Sequence, residues 1–202
     1  MSPPRVYFTD MRCKLGDSLP SKLDRLIRAA GIDSIDMEKK IVAIKMHFGE
    51  YGNLAFLRPN YARVVADIVK EKGGMPYLTD CNTLYVGSRR NALDHLECAS
   101  RNGFDPTTTG CQIIIGDGLK GTDDVEIPID GELVKTAKIG RAIADCDVLI
   151  TLTHFKGHAT ASITVDAHPA AGPFIYSDLR IDNADNTSWT TNSETGKISV
   201  DV

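Results

Sequence analysis

Four short apolar runs punctuate this chain, and each one ends in a burst of polar residues. The runs are residues 41–46 (IVAIKM), 75–78 (MPYL), 112–115 (QIII) and 148–152 (VLITL). Runs of four to six apolar residues bounded by turn-forming residues read as buried strands. Between them the periodicity changes to that of helices. Leu23, Leu26, Ile27 and Ala30 recur at helical spacing behind Ser21-Lys22-Leu23-Asp24, a capping-box pattern, and Gly31 supplies a stop. A second helix is predicted from Pro59, with Tyr61, Val64, Val65, Ile68 and Val69 on one face and Gly73-Gly74 as its end. A third runs from Ser88 or Arg89 to Asn102, with Ala92, Leu93, Leu96 and Ala99 as its apolar stripe.

Smaller elements complete the pattern. Residues 5–8 read as an opening strand. Residues 125–129 and 133–135 read as a hairpin turning at Asp130-Gly131, and residues 139–144 as a short helix. The alternation of strand and helix predicts an α/β fold, an open, mostly parallel sheet with helices on both faces. The four apolar runs are expected to be parallel neighbours in that sheet. From about Ile163 Ser, Thr, Asn and Asp crowd the chain, so the predicted division is an α/β domain over 1–161 and a polar, β-rich extension over 162–202. Pieces such as Phe174-Ile175-Tyr176 and Ile198-Ser199-Val200, with Trp189, are expected to pack against the domain or a second copy of it, which makes a homo-oligomer a candidate assembly.

Composition narrows the class. Of 202 residues, 42% are hydrophobic and 25% charged, and the net charge is −4, which argues against a nucleic-acid partner. No apolar run approaches the ~20 residues of a spanning helix, so no membrane partner is expected. The first residues lack the apolar core of a secretory signal, which predicts a cytoplasmic protein. None of the five cysteines (Cys13, Cys81, Cys98, Cys111, Cys146) stands at C-x-x-C spacing, so no iron–sulfur or zinc motif is written locally. Cys81 alone falls inside a polar cluster, and packing is its ordinary role.

Candidate chemistry gathers at the strand ends, where open α/β sheets bind ligands. His47 opens His47-Phe48-Gly49-Glu50 after the first run. Asp80, Asn82 and Thr83 follow the second, Asp117 the third, and His154-Phe155-Lys156-Gly157-His158 the fourth. His154 and His158 could ligate a divalent metal with Asp80, or serve with His47 as acid–base groups. Lys156 is a point charge for a small anion. Asn82 and Thr83 are equally suited to turn formation, and Asp117 lies in a glycine-rich turn. His95, on the third helix, reads as a core or edge histidine. His47, Asp80 and one of His154 and His158 are expected around one concave surface.

The segments IVAIKMHFGEYGN, RPNYARVVADIVKEKGG, YLTDCNTLYVGSRRNALDHLECASRNGF, IIIGDGLKG and IGRAIADCDVLITLTHFKGH together resemble domain-of-unknown-function family 362, which includes iron–sulfur centre proteins, over about residues 6–158. The resemblance implies an α/β domain whose strand-end histidines and aspartate are functional. Full-length relatives often carry a cysteine-rich segment that this chain lacks. Where the family has a glycine-rich loop after HFKGH, here Ala159-Thr160-Ala161-Ser162 follows; that loop is also similar to one in the nickel-dependent lactate racemase family. The sequence therefore points to a small-anion-binding or metal- or cofactor-binding domain, as a redox-associated or isomerase-like enzyme. The alternative is a non-catalytic interaction module assembled through its tail.

Overall fold

A computed structural model describes residues 5–129, 131 and 134–154, and the backbone of 156–158, 162–164, 189–191 and 198–200. Helix α1 (Leu19–Ala29) leads into strand β1 (Ile41–Lys45), helix α2 (Pro59–Glu71), β2 (Met75–Asp80), α3 (Ala92–Arg101), the short α4 (Pro106–Thr109) and β3 (Gln112–Ile115). An antiparallel pair, β4 (Asp124–Pro128) with β5 (Thr136–Gly140), and the single-turn α5 (Arg141–Ala144) precede β6 (Val148–Thr151). The backbone pairs β7 (Lys156–His158) with β8 (Ser162–Thr164), and β9 (Trp189–Thr191) with β10 (Ile198–Val200), both antiparallel.

The four predicted runs form one sheet of order β3-β2-β1-β6, every neighbour parallel. Val42, Ala43 and Ile44 are consecutive, and all are fully buried. Successive strand residues face opposite ways, so both faces of β1 are covered. The registers Ile44–Leu78, Ile44–Ile150 and Leu78–Ile113 align these residues, with Ile115 two positions beyond Ile113, on one apolar face. Val65, Ile68, Val69 and Ala99, from α2 and α3, join them in the main core. The other face carries Ala43, Lys45, Tyr77, Thr79, Leu149 and Thr151. There the Tyr77 hydroxyl donates to the Ala142 carbonyl of α5.

The chain runs outward from β1 through β2 to β3, then returns to β6 on the far side of β1. Strand order reverses between β1 and β6. In open α/β sheets the crevice for ligands opens at such a switch point, beyond the carboxyl ends.

Several local expectations need correction. Residues 5–8 form no strand and are exposed, with Val6 and Phe8 largely in solvent. The cap of α1 is Ser18 rather than Ser21: its hydroxyl accepts from the Ser21 amide, and Pro20 occupies the first turn. Helix α3 starts three residues after Arg89, because Asn91 caps it by accepting from the Leu93 and Asp94 amides. Its buried face is His95, Cys98 and Ala99, while Leu93 lies 69% exposed. The second arm of the hairpin is Thr136–Gly140, longer and later than expected, and it takes Ile139 from the predicted helix. Residues 198–200 do pair, with 189–191; Phe174, Ile175 and Tyr176 lie outside the described residues.

Candidate functional site at the carboxyl edge of the sheet

Parallel strands put all four polar clusters on one edge. Lys45 ends β1 and His47 follows two residues later; Asp80 is the last residue of β2, Asp117 lies two residues beyond β3, and His154 three beyond β6. His47 and His154 therefore follow the two strands that flank the switch point. The backbone of Lys156 and His158 continues from there as β7, and their side chains lie outside the described residues.

Asp80 is the hub. Its carboxylate is 9% exposed and accepts from Arg89 Nη1 at 3.1 Å and from the Cys81 amide at 3.0 Å. Lys45 Nζ stands 3.7 Å from one carboxylate oxygen, and His95 Nε2 stands 3.8 Å from the other. Arg89, almost wholly buried, reaches past Asp80 to Glu50, with Nε at 2.7 Å and Nη2 at 2.6 Å from one carboxylate oxygen. Glu50 also accepts from the Tyr85 hydroxyl at 2.9 Å and from Ser88 Oγ at 2.7 Å. Burial raises its pKa, but the hydrogen bonds from Ser88, Arg89 and Tyr85 outweigh it and hold the carboxyl at about 2. Lys45 and Arg89 thus balance Asp80 and Glu50 within one network, and Arg89 ties the loop after β1 to the loop after β2.

His95 is fully buried, as the sequence suggested for a core histidine. It nevertheless touches the network. Asn82 donates its amide protons to Asp117 Oδ1 at 2.8 Å and to the Gly118 carbonyl at 2.9 Å, so its oxygen faces His95 Nδ1 at 3.4 Å. That arrangement assigns the ring proton to Nδ1 and leaves Nε2 bare. Nε2 has no hydrogen-bond partner. Burial, with Arg89 and His47 nearby, pushes the pKa of His95 down to about 3, so the ring is neutral. The Phe48 ring meets it edge-on, with centroids 5.6 Å apart.

The loop after β1 is pinned. The Gly49 amide donates to His47 Nδ1 at 2.8 Å, which puts the proton of neutral His47 on Nε2. Gly49 has φ +85, and a Cβ there would come within 2.6 Å of Asn102 Nδ2 and 2.8 Å of the Phe56 ring, so only glycine fits. Asp117 accepts from the Asn82 amide and side chain, stapling the turn after β2 to the turn after β3. The Thr83 amide donates to the Arg89 carbonyl, and its hydroxyl donates to the Tyr85 carbonyl. Asn82, Thr83 and Asp117 thus shape loops at the edge. Burial, followed by Asp117 and Asp80, pushes the Cys81 thiol up to about 12, which suits packing and not nucleophilic attack.

Among the described residues, three threonine hydroxyls at or just beyond the strand ends lack partners. Thr79 Oγ1, Thr151 Oγ1 and Thr153 Oγ1 are buried and make no hydrogen bond. Sequence patterning missed Lys45, Arg89 and these threonines. Lys45 did leave a signal, as the one charge inside an apolar strand. Arg89 left none, because its role depends on a loop returning to two carboxylates that are 9 and 39 residues away.

A family model described as a domain of unknown function, DUF362, matches residues 42–166. The chain belongs to this family. The match starts at β1 and runs through β8, covering the whole parallel sheet and the edge just described. No curated protein and no solved structure matches the chain.

Among the described residues no three of His, Cys, Asp and Glu stand close enough to hold a metal ion. Of the cysteines, Cys98 and Cys111 are buried, Cys81 and Cys146 half-buried and Cys13 exposed. This donor set does not fit an iron–sulfur cluster. No helix among the described residues is long and apolar enough to cross a membrane.

Proposed function

We propose that this DUF362 chain is a small-anion-binding α/β domain whose ligand lies beyond the carboxyl ends of β1 and β6. The observation that carries this reading is the reversal of strand order between those two strands, with His47 following one and His154 the other. In it Lys156 supplies a point charge, and His47 and His154 stand at the ligand as acid–base groups. Asp80 fixes Lys45 and Arg89 in place, while Asn82, Thr83 and Asp117 hold the surrounding turns. A redox or isomerase step would use the same histidines.

Metal binding by His154, His158 and Asp80 ranks second, because it rests on the His154–His158 spacing alone. The interaction-module reading draws on one observation: Leu84, Tyr85 and Val86 are exposed side by side next to the network.

Calorimetric titration of the whole chain with acetate, glycolate and inorganic phosphate tests the proposal. Saturable binding is expected for at least one anion, weakened about tenfold in Lys156→Ala by loss of one charge-assisted contact. Absence of saturable heat with all three would overturn it.

A further inference from the structure

The register of the sheet sets three side chains abreast. Lys45 pairs with Thr79 on one side and with Thr151 on the other, so Thr79, Lys45 and Thr151 form a row across β2, β1 and β6 on the same face. This is the last register row shared by the three strands, and its Lys45–Thr151 half lies at the switch point. Thr79 is fully buried and Thr151 is 2% exposed, yet neither hydroxyl has a partner. Buried hydroxyls are nearly always hydrogen-bonded. Two orphans flanking one lysine in a single row are unusual, and Thr153, two residues past Thr151 and next to His154, adds another among the described residues.

The opposite wall is backbone. A Cβ on Gly116 would come within 3.1 Å of Thr79 Oγ1, and one on Gly140 would meet the Gly116 carbonyl at 2.7 Å. Ile143 Cδ1, which a Cβ on Gly116 would meet at 3.0 Å, packs at the same spot, and glycine at both positions lets the main chain close over this end of the row.

We infer that the row Thr79–Lys45–Thr151 is the seat of a small monocarboxylate, a deepening that rests on the anion-binding reading above. Two threonine hydroxyls supply O–H donors and Lys45 supplies an ammonium, which suits an acceptor with two oxygens. Adjacent strands lie about 4.8 Å apart. A carboxylate bonded through each oxygen to one hydroxyl bridges roughly 7.5 Å between the two donors. Two strand spacings are about 9.6 Å, so the seat requires both threonine side chains to lean toward the Lys45 position between them. Charge favours a monoanion. Lys45 already faces Asp80 at 3.7 Å, and Arg89 faces both Asp80 and Glu50. Two hydroxyl donors beside one ammonium match the two oxygens and single charge of a carboxylate better than a phosphate dianion.

Valine replaces threonine with nearly the same shape and no hydroxyl, which separates a ligand role from a structural one. Acetate, glycolate and inorganic phosphate are titrated into the whole chain, into Thr79→Val, Thr151→Val and the double variant, and into Thr151→Ser. Thermal midpoints are measured without ligand. Wild type should bind the carboxylates more tightly than phosphate. Each valine variant should lose about tenfold in carboxylate affinity, the worth of one hydrogen bond to a charged acceptor, with the double variant losing more. Thr151→Ser should keep its affinity. The ligand-free midpoints of the valine variants should be unchanged or raised, since a hydroxyl without a partner is removed; a structural hydroxyl would lower them.

Wild-type affinity in the double valine variant would overturn the seat while leaving an anion site elsewhere on the edge. Binding of phosphate but not carboxylate would overturn the ligand class alone. No binding by wild type would overturn both the seat and the reading beneath it. Loss of binding in Thr151→Ser would also count against the seat, because its hydroxyl is retained.

Discussion

The two faces of the sheet are built from the same four strands but obey different rules. On one face Val42, Ile44, Leu78, Ile115 and Ile150 meet α2 and α3 in a continuous apolar core. On the other, Lys45, Thr79 and Thr151 stand in a row, with Thr79 against Gly116 of the turn after β3. Folding accounts for the first face, where the buried groups are apolar or, like Asp80 in register with Ile115, held by a partner such as Arg89. It does not account for the second, where hydroxyls are taken from water and given nothing in return. We read these hydroxyls as the donors of the proposed seat.

The strongest way to break that contrast is to cut the network that joins the faces. Arg89→Ala leaves Asp80 buried without its guanidinium and should destabilise the protein by about 3–5 kcal/mol in urea unfolding. Arg89→Lys restores charge but not the fork that reaches Asp80 and Glu50 together, and should recover only part of the loss. On the apolar face, Ile44→Ala should cost about 3 kcal/mol through lost burial and a residual cavity. Thr151→Val, one strand away on the other face, should show a shift of less than about 1 kcal/mol and of opposite sign.

Acid should act through the same network. His95 is held at about 3, so between its ordinary value near 6.5 and pH 3 the unfolded chain binds a proton that the folded chain refuses. Stability is then lost as pH falls through that window, by at most about 1.4 kcal/mol per pH unit from this group. Glu50, depressed to about 2, adds to the loss as pH falls from its ordinary value near 4.5 toward 2. His95→Gln should flatten the urea midpoint between pH 6 and about pH 4 and leave the steeper fall at lower pH. An unchanged slope would show that His95 is not the group responsible. The smallest effect belongs to the cap of α3: Asn91→Ala should cost about 1 kcal/mol, with the anion affinity untouched.

The apolar face was legible in the sequence, and the polar face only in outline. All four strands were visible as apolar runs between turn residues, and α2 as a stripe whose members are buried or half-buried. Polarity returns abruptly at the strand ends, and the parallel sheet sets those ends along one edge. Helix α3 misled, since its buried face is carried by His95 and Cys98 while Leu93 and Leu96 face solvent; hydropathy ranks those residues the wrong way round. The cap at Ser18 was missed because Ser21 offered the same chemistry three residues later. Thr79 and Thr151 passed unnoticed because threonine is ordinary in strands, and only register shows that they flank Lys45.

The central claim is that the carboxyl edge at the switch point, and not another surface, takes the anion. An NMR titration of acetate into the whole chain follows it directly. The account predicts saturable shifts at Lys45, His47, Thr79, Thr151 and His154, with Ile44 and Leu78 on the opposite face nearly still. Shifts that gather instead around Arg25 and Arg28, in the groove between α1 and α2, or that grow linearly without saturation, would contradict it.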